Sequence, residues 1–155
     1  MSTLTQGSPA PDFDLPADGG SRIKLSDLKG RKVVLYFYPK DNTSGCTLES
    51  IDFSERKADF DAAETIVIGA SPDSVKSHDA FKKKHDLSIP LASDEDKAML
   101  TAYGVWAEKS MYGRKYMGVV RTTYLIDRDG KIARVWDKVK VKGHVDEVLA
   151  AARSA

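Results

Sequence analysis

The chain alternates short apolar runs with longer amphipathic stretches, and this alternation predicts its elements. Lys32–Tyr38 (KVVLYFY) is almost continuously apolar, β-branched and aromatic, the pattern of a strand buried on both faces. Thr65–Ala70 (TIVIGA) and Thr122–Ile126 (TTYLI) repeat that pattern. Ahead of them, Asp12–Leu15 and Arg22–Leu25 read as extended segments separated by Gly19-Gly20, and Ser26–Gly30 as a turn or short helical loop. Pro39 stops the first strong strand, and Asp41–Gly45 is a loop rich in helix-capping residues. The spacing then predicts a helix over 45–62 with Leu48, Ile51, Ala58 and Ala62 as its apolar stripe. Asp73–His85 reads as a helix carrying Val75, Ala80 and Phe81, Ile89–Ala92 as a short strand, and Glu95–Tyr103 as a short helix ended by Gly104. Asp127-Arg128-Asp129-Gly130 is a hairpin turn with Gly where positive φ is needed, and Lys131–Trp136 is its return strand. His144–Arg153 closes the chain as a helix with Val145, Val148 and Leu149 on one side.

Strand–helix–strand–helix–strand–hairpin–helix predicts one α/β domain over residues 1–155, preceded by an extended N-terminal segment. Its β-α-β start should be parallel and right-handed, and its late hairpin antiparallel. That mixed central sheet is a thioredoxin-like arrangement. A chain of 155 residues can bury about two thirds of its unfolded surface, so it folds without disulfides or metal. The net charge is +1 and, apart from Lys82–Lys84 and Lys138–Lys142, the basic residues are dispersed, which argues against nucleic acid or a membrane as partner. The polar, proline-containing start does not read as a secretion signal, and the expected compartment is the cytoplasm. Three scattered His and one Cys do not form a zinc set.

That single cysteine is the main chemical candidate. Cys46 follows a strand and opens a helix, where first-turn amides and the helix dipole favour a negative sulfur. A buried structural thiol is the alternative at such a position. Thr43, three residues earlier, carries a hydroxyl that can bond a group bound at sulfur, or simply cap the helix. Pro39 ends the strand and can shield the site from water. Arg121, at the head of the third strong strand, is a fixed cation able to hold a thiolate and an incoming oxygen, or a strand-edge surface charge.

The segment YFYPKDNTSGCTLES closely resembles the active-site stretch of peroxiredoxins, which reads Pro, three residues, Thr, two residues, Cys. The resemblance is strongest to the bacterioferritin comigratory protein (PrxQ) group. It continues through GASPDS at 69–74, YGVW at 103–106 and MYGRKYMGVVRTTYLID at 111–127, covering nearly the whole chain. It implies a thiol peroxidase that reduces hydrogen peroxide and organic hydroperoxides. Cys46 would attack the peroxide and become a sulfenic acid. Thr43 would hydrogen-bond the peroxide, Arg121 would stabilise the thiolate and polarise the departing oxygen, and Pro39 would pack over the site. Glu49 would tie the Arg121 network together, with an exposed first-turn Glu favouring the helix dipole as the equal reading. No metal or organic cofactor is implied, because the thiol is itself the redox centre.

The chain departs from the pattern at three positions. Many members of the group carry a second cysteine five residues after the first, where this chain has Ile51, or near the position of Lys84 on the next helix. Ser44 stands where Pro is common. The chain therefore reads as a one-cysteine variant whose sulfenic acid is recycled by an external thiol: thioredoxin, glutaredoxin with glutathione, or a similar reductant. The resemblance also implies a monomer. A dithiol oxidoreductase is excluded by Glu49, which occupies the second Cys position of a C-x-x-C pair. A monothiol oxidoreductase and a redox sensor remain as competing functions.

Overall fold

The computed structural model describes residues 4–155. A five-stranded sheet runs through the middle in the order β5-β4-β3-β8-β9. Its strands are β3 (Lys32–Phe37), β4 (Thr65–Ser71), β5 (Leu91–Ser93), β8 (Thr122–Ile126) and β9 (Ile132–Trp136). β3 pairs in parallel with β4 and antiparallel with β8. Two short strands, β1 (Asp14–Pro16) and β2 (Arg22–Lys24), form a separate antiparallel pair in the extended N-terminal segment.

Every residue of β3 is buried, and its side chains alternate between two cores. Val33, Leu35 and Phe37 face Phe13, Leu25, Tyr103 and the helix α4 (Ala98–Ala102). Val34, Tyr36 and the following Tyr38 face the helices α1 (Ser44–Glu55), α2 (Lys57–Ala62), α3 (Val75–His85) and α5 (His144–Ser154). This is the physical content of the uninterrupted apolar run: a central strand has no solvent face. On the helical side Phe53 stacks on Tyr36 with ring centroids 4.6 Å apart, and Phe60 lies 5.8 Å from Phe53.

Four expectations need correction. The helix expected over 45–62 is two helices, because the Arg56 N–H is shared by the Asp52 and Phe53 carbonyls and the Ser88 hydroxyl takes the Ser54 carbonyl. Its expected apolar stripe is not the buried one: Leu48 is 57% exposed and Ala58 and Ala62 face solvent. The buried face of α1 is Cys46, Glu49, Ser50 and Phe53, still at helical spacing but largely polar. On α3, Ala80 is exposed, and His78 joins Phe81 in the interior. The fourth correction is an element that hydrophobic patterning did not suggest, the hairpin of β6 (Trp106–Met111) and β7 (Arg114–Val119). Both residues of its turn, Tyr112 and Gly113, have positive φ, 52° and 77°. A two-residue turn of that hand matches strand twist, but the flanking side chains are mostly polar and exposed, so no apolar alternation announces it. Smaller shifts move the short strand to Leu91–Ser93 and the short helix to Ala98–Ala102. Among the described residues, no helix is long and apolar enough to cross a membrane.

One glycine reports how closely β3 and β4 pack. Gly69 lies beside Tyr36 in the register, and a Cβ there would sit 2.7 Å from the buried Tyr36 ring and hydroxyl and 3.0 Å from Leu91. Tyr36 has no solvent to move into, because it is fully buried and donates to the Ser50 hydroxyl at 2.9 Å. Gly69→Ala should therefore cost about 1–3 kcal/mol in denaturant unfolding, and a variant as stable as wild type would contradict this packing.

Candidate active site

Two strand ends build the site. β3 leads through Tyr38 and Pro39 into the turn that starts α1, while Arg121 immediately precedes β8. β3 and β8 are antiparallel neighbours with Phe37 opposite Thr122, so the exit of one strand lies beside the entry of the other. This brings together two side chains 75 residues apart: Arg121 Nη2 donates to Cys46 Sγ at 3.2 Å. The Arg121 backbone is itself fixed, its carbonyl accepting from Val139 N–H at 3.0 Å.

Cys46 is the third residue of α1 and is 1% exposed. The first-turn amides and the guanidinium therefore act on sulfur in the same electrostatic sense. Gly45 leaves room for the approach, because a Cβ there would crowd Arg121 Nη2 at 3.2 Å. Arg121 Nη1 donates to Glu49 Oε1 at 2.8 Å. Glu49 is fully buried, so the reading of an exposed first-turn Glu is excluded, and Arg121, with 18% of its side chain exposed, is no surface charge. Burial opposes the charge on Arg121, but Glu49 and Cys46 outweigh it and hold its pKa above the ordinary value. For Glu49 the balance goes the other way. Burial raises its carboxyl from 4.5 to about 7 against the attraction of Arg121.

Thr43 is the N-cap residue of α1, yet its side chain does not cap the helix. Its hydroxyl donates to the Lys40 carbonyl at 2.8 Å, and the residue is exposed. Pro39 is half-buried just past the end of β3. Ser44 is exposed at the first position of α1, Ile51 is half-buried and Lys84 is exposed.

Comparison with known proteins shows the family of the chain. Residues 6–135 match the model of the AhpC/TSA family. The putative peroxiredoxin bcp of Coxiella burnetii is 50% identical over 147 residues, spanning 95% of this chain and 97% of its own. Peroxiredoxin Bcp of Bacillus subtilis is 46% identical over 147 residues, spanning 95% and 94%. This chain belongs to the AhpC/TSA family, among the Bcp-type peroxiredoxins. Its fold is correspondingly shared with Xanthomonas campestris peroxiredoxin Q, with a TM-score of 0.90 at 42% identity over 99% of this chain and 97% of that one. The Xanthomonas protein has been solved with serine in place of either of two cysteines, whereas this chain has one.

Sequence reasoning missed two residues around this cluster. His144, buried at the start of α5, lies with Nε2 2.8 Å from Thr123 Oγ1 and 3.9 Å from Glu49 Oε2, an oxygen that makes no hydrogen bond. Burial, with help from Arg121, lowers its pKa from 6.5 to about 4, so it is neutral at physiological pH. Lys109 on β6 donates to the Val119 carbonyl at 2.6 Å, and burial and then Arg121 lower its pKa. Neither had a usable signal, since one lies 98 positions from Cys46 and the other sits on the unexpected hairpin. Asp41, Asp73 and His78 bring donor atoms within 4.8 Å of one another. Those atoms are engaged with one another's neighbours Tyr38, Ser71 and Ser77, which makes a hydrogen-bonded cluster rather than a cation site.

The buried titrations have opposite signs. Folded Glu49 holds its proton more tightly than an unfolded Glu, so its contribution to stability is complete below pH 4.5 and is lost as pH rises through about 7. Folded His144 holds its proton less tightly, so its contribution is present above pH 6.5 and lost as pH falls through about 4. Glu49→Gln removes the first effect and leaves the second. Relative to wild type, the variant's unfolding free energy should rise between these pH limits by up to about 3 kcal/mol. A difference that stays flat with pH in denaturant titrations would contradict the raised carboxyl.

Proposed function

We propose that this peroxiredoxin reduces hydrogen peroxide and organic hydroperoxides at Cys46, with Arg121, Thr43, Glu49 and Pro39 forming the site. The observation that carries this reading is the Arg121 Nη2–Cys46 Sγ hydrogen bond at 3.2 Å, inside a cluster closed off by buried Glu49. The Cys46 thiolate attacks the terminal peroxide oxygen. A sulfur–oxygen bond forms, the oxygen–oxygen bond breaks, and sulfur is oxidised to the sulfenic acid. The departing alkoxide or hydroxide takes a proton and leaves as alcohol or water. Negative charge moves from sulfur to oxygen in this step, and Arg121 stands where a fixed donor can follow it. Thr43 already spends its hydroxyl hydrogen on Lys40, so its oxygen lone pairs are directed to accept from the hydroperoxide O–H. Glu49 orients the guanidinium, and Pro39 covers the approach. The Xanthomonas relative, studied for alkyl peroxide reduction, supports the organic hydroperoxide part of the reading.

The second half of the cycle uses another molecule. With one cysteine in the sequence, no thiol of the same chain can condense with the sulfenic acid. An external thiol attacks it, releasing water and leaving a mixed disulfide, and a second thiol frees Cys46. Thioredoxin, or glutaredoxin with glutathione, has the chemistry required. The same reading makes the protein a monomer of the reducing cytoplasm, where a lone thiol persists.

Cys46→Ser should abolish hydroperoxide consumption, and full activity in that variant would overturn the assignment. Arg121→Lys keeps the charge but not the fork that spans sulfur and Glu49, so Cys46 oxidation in stopped flow should slow by about 10²-fold. A rate within twofold of wild type would remove Arg121 from the site. Excess peroxide without thiol should convert Cys46 to the sulfinic acid, read as a two-oxygen mass gain. Its absence at high dose would show that some other group protects the sulfenic acid.

A further inference from the structure

His78 lies on α3, outside the chemistry above, and is fully buried. Its Nδ1 is 2.8 Å from Asp41 Oδ2, and its Nε2 is 3.0 Å from the Ala92 carbonyl oxygen on β5. A carbonyl oxygen only accepts, and so does an ionised carboxylate. The Asp41 carboxylate is also the target of the Tyr38 hydroxyl at 2.6 Å and the Ser77 hydroxyl at 2.8 Å, the surroundings of an anion. A neutral imidazole has one N–H and can serve only one of its two acceptors. Both contacts are satisfied when both ring nitrogens carry hydrogen.

Asp41 is the first fixed point of the turn that delivers Cys46. Its backbone N–H donates to Asp73 Oδ2 at 2.8 Å, and that oxygen accepts from the Ser71 hydroxyl at 2.7 Å. The next residue, Asn42, takes a positive φ of 63°, so the chain reverses directly from this anchor into Thr43 and α1. Between the anchor and Cys46 there are no other buried residues.

We propose that His78, held as an imidazolium, is a positioning residue for the Cys46 turn: its charge pins Asp41 and thereby sets where Thr43 and Cys46 meet the peroxide. The role rests on the peroxidase reading. The groups facing the ring are Asp41 from the turn, Asp73 from the loop after β4, Tyr38 from the end of β3, the Ala92 carbonyl from β5, and Ser77 on its own helix. Burial works against the charge, but Asp41, the Ala92 carbonyl and Asp73 outweigh it and raise the His78 pKa above 6.5. The pin is therefore in place at acidic and neutral pH and is lost as pH rises through the folded value. Loss leaves a buried carboxylate short of one charged donor, which loosens the turn.

The test combines side-chain ¹⁵N spectra of the histidines with the rate of Cys46 oxidation by peroxide, over about pH 6 to 9. At the acidic end His78 should show two protonated nitrogens, and the rate should fall at high pH with the midpoint of the His78 titration. His78→Asn supplies a neutral donor and should slow oxidation on the order of tenfold at the acidic end, with no fall tied to residue 78. One bare nitrogen on His78 throughout, a fall whose midpoint differs from the His78 titration, or an unaltered profile in the variant would overturn the proposal. Should the variant not fold, the wild-type spectra and profile decide by themselves. A wild type that consumed no hydroperoxide at any pH would instead refute the peroxidase reading, so the two failures are distinct.

Discussion

Arg121 holds the site together because it touches both halves of it. One nitrogen of its guanidinium reaches the Cys46 sulfur at 3.2 Å, and another reaches the Glu49 carboxylate at 2.8 Å. Both partners lie on the inward face of α1, three residues apart, so the fork grips one turn of helix. The arrangement arises because β3 ends where β8 begins, and Gly45 spares the guanidinium a tight Cβ contact. Removing one member of such a buried charged set strands the others, typically at about 3–5 kcal/mol. Interior polarity at this point is a constraint on the fold as much as a feature of the chemistry.

That constraint spreads through the helical side of the sheet. Glu49 has a second oxygen with no hydrogen bond, and the nearest ring nitrogen, on His144, is occupied with Thr123. Burial makes the carboxyl hold its proton more tightly, and burial together with Arg121 keeps His144 neutral. Five residues before Cys46, Asp41 is held by Tyr38, Ser77 and His78, and so fixes the start of the turn. Cys46 is thus set from two directions, by a guanidinium across the sheet and by a carboxylate anchor behind the turn.

Much of the frame was legible because it obeys simple periodicity. β3, β4 and β8 are buried on both faces, and their apolar runs say so. The Asp-Gly turn before β9 and the apolar side of α5 were legible for the same reason. The inward face of α1 was not, because chemistry replaces hydrophobicity there: Cys46, Glu49 and Ser50 are buried while Leu48 faces solvent. The β6–β7 hairpin was hidden by its polar strands and by a Tyr in a left-handed turn. Of the candidate site, Cys46, Thr43, Arg121 and Pro39 are legible in the sequence, and Glu49 is legible with two readings, network or exposed surface. His78 and His144 gave no signal, since their partners lie on other elements and only the fold brings them near.

In the proposed function, the single cysteine divides the catalytic cycle between two molecules. The most direct measurement is the intact mass of reduced protein after one equivalent of hydroperoxide with no thiol present, followed by thiol addition. The account predicts a gain of one oxygen located on Cys46, stable until an external thiol is added and then reversed by it. Peroxide left unconsumed, or oxygen found on the methionines with Cys46 unchanged, would contradict it.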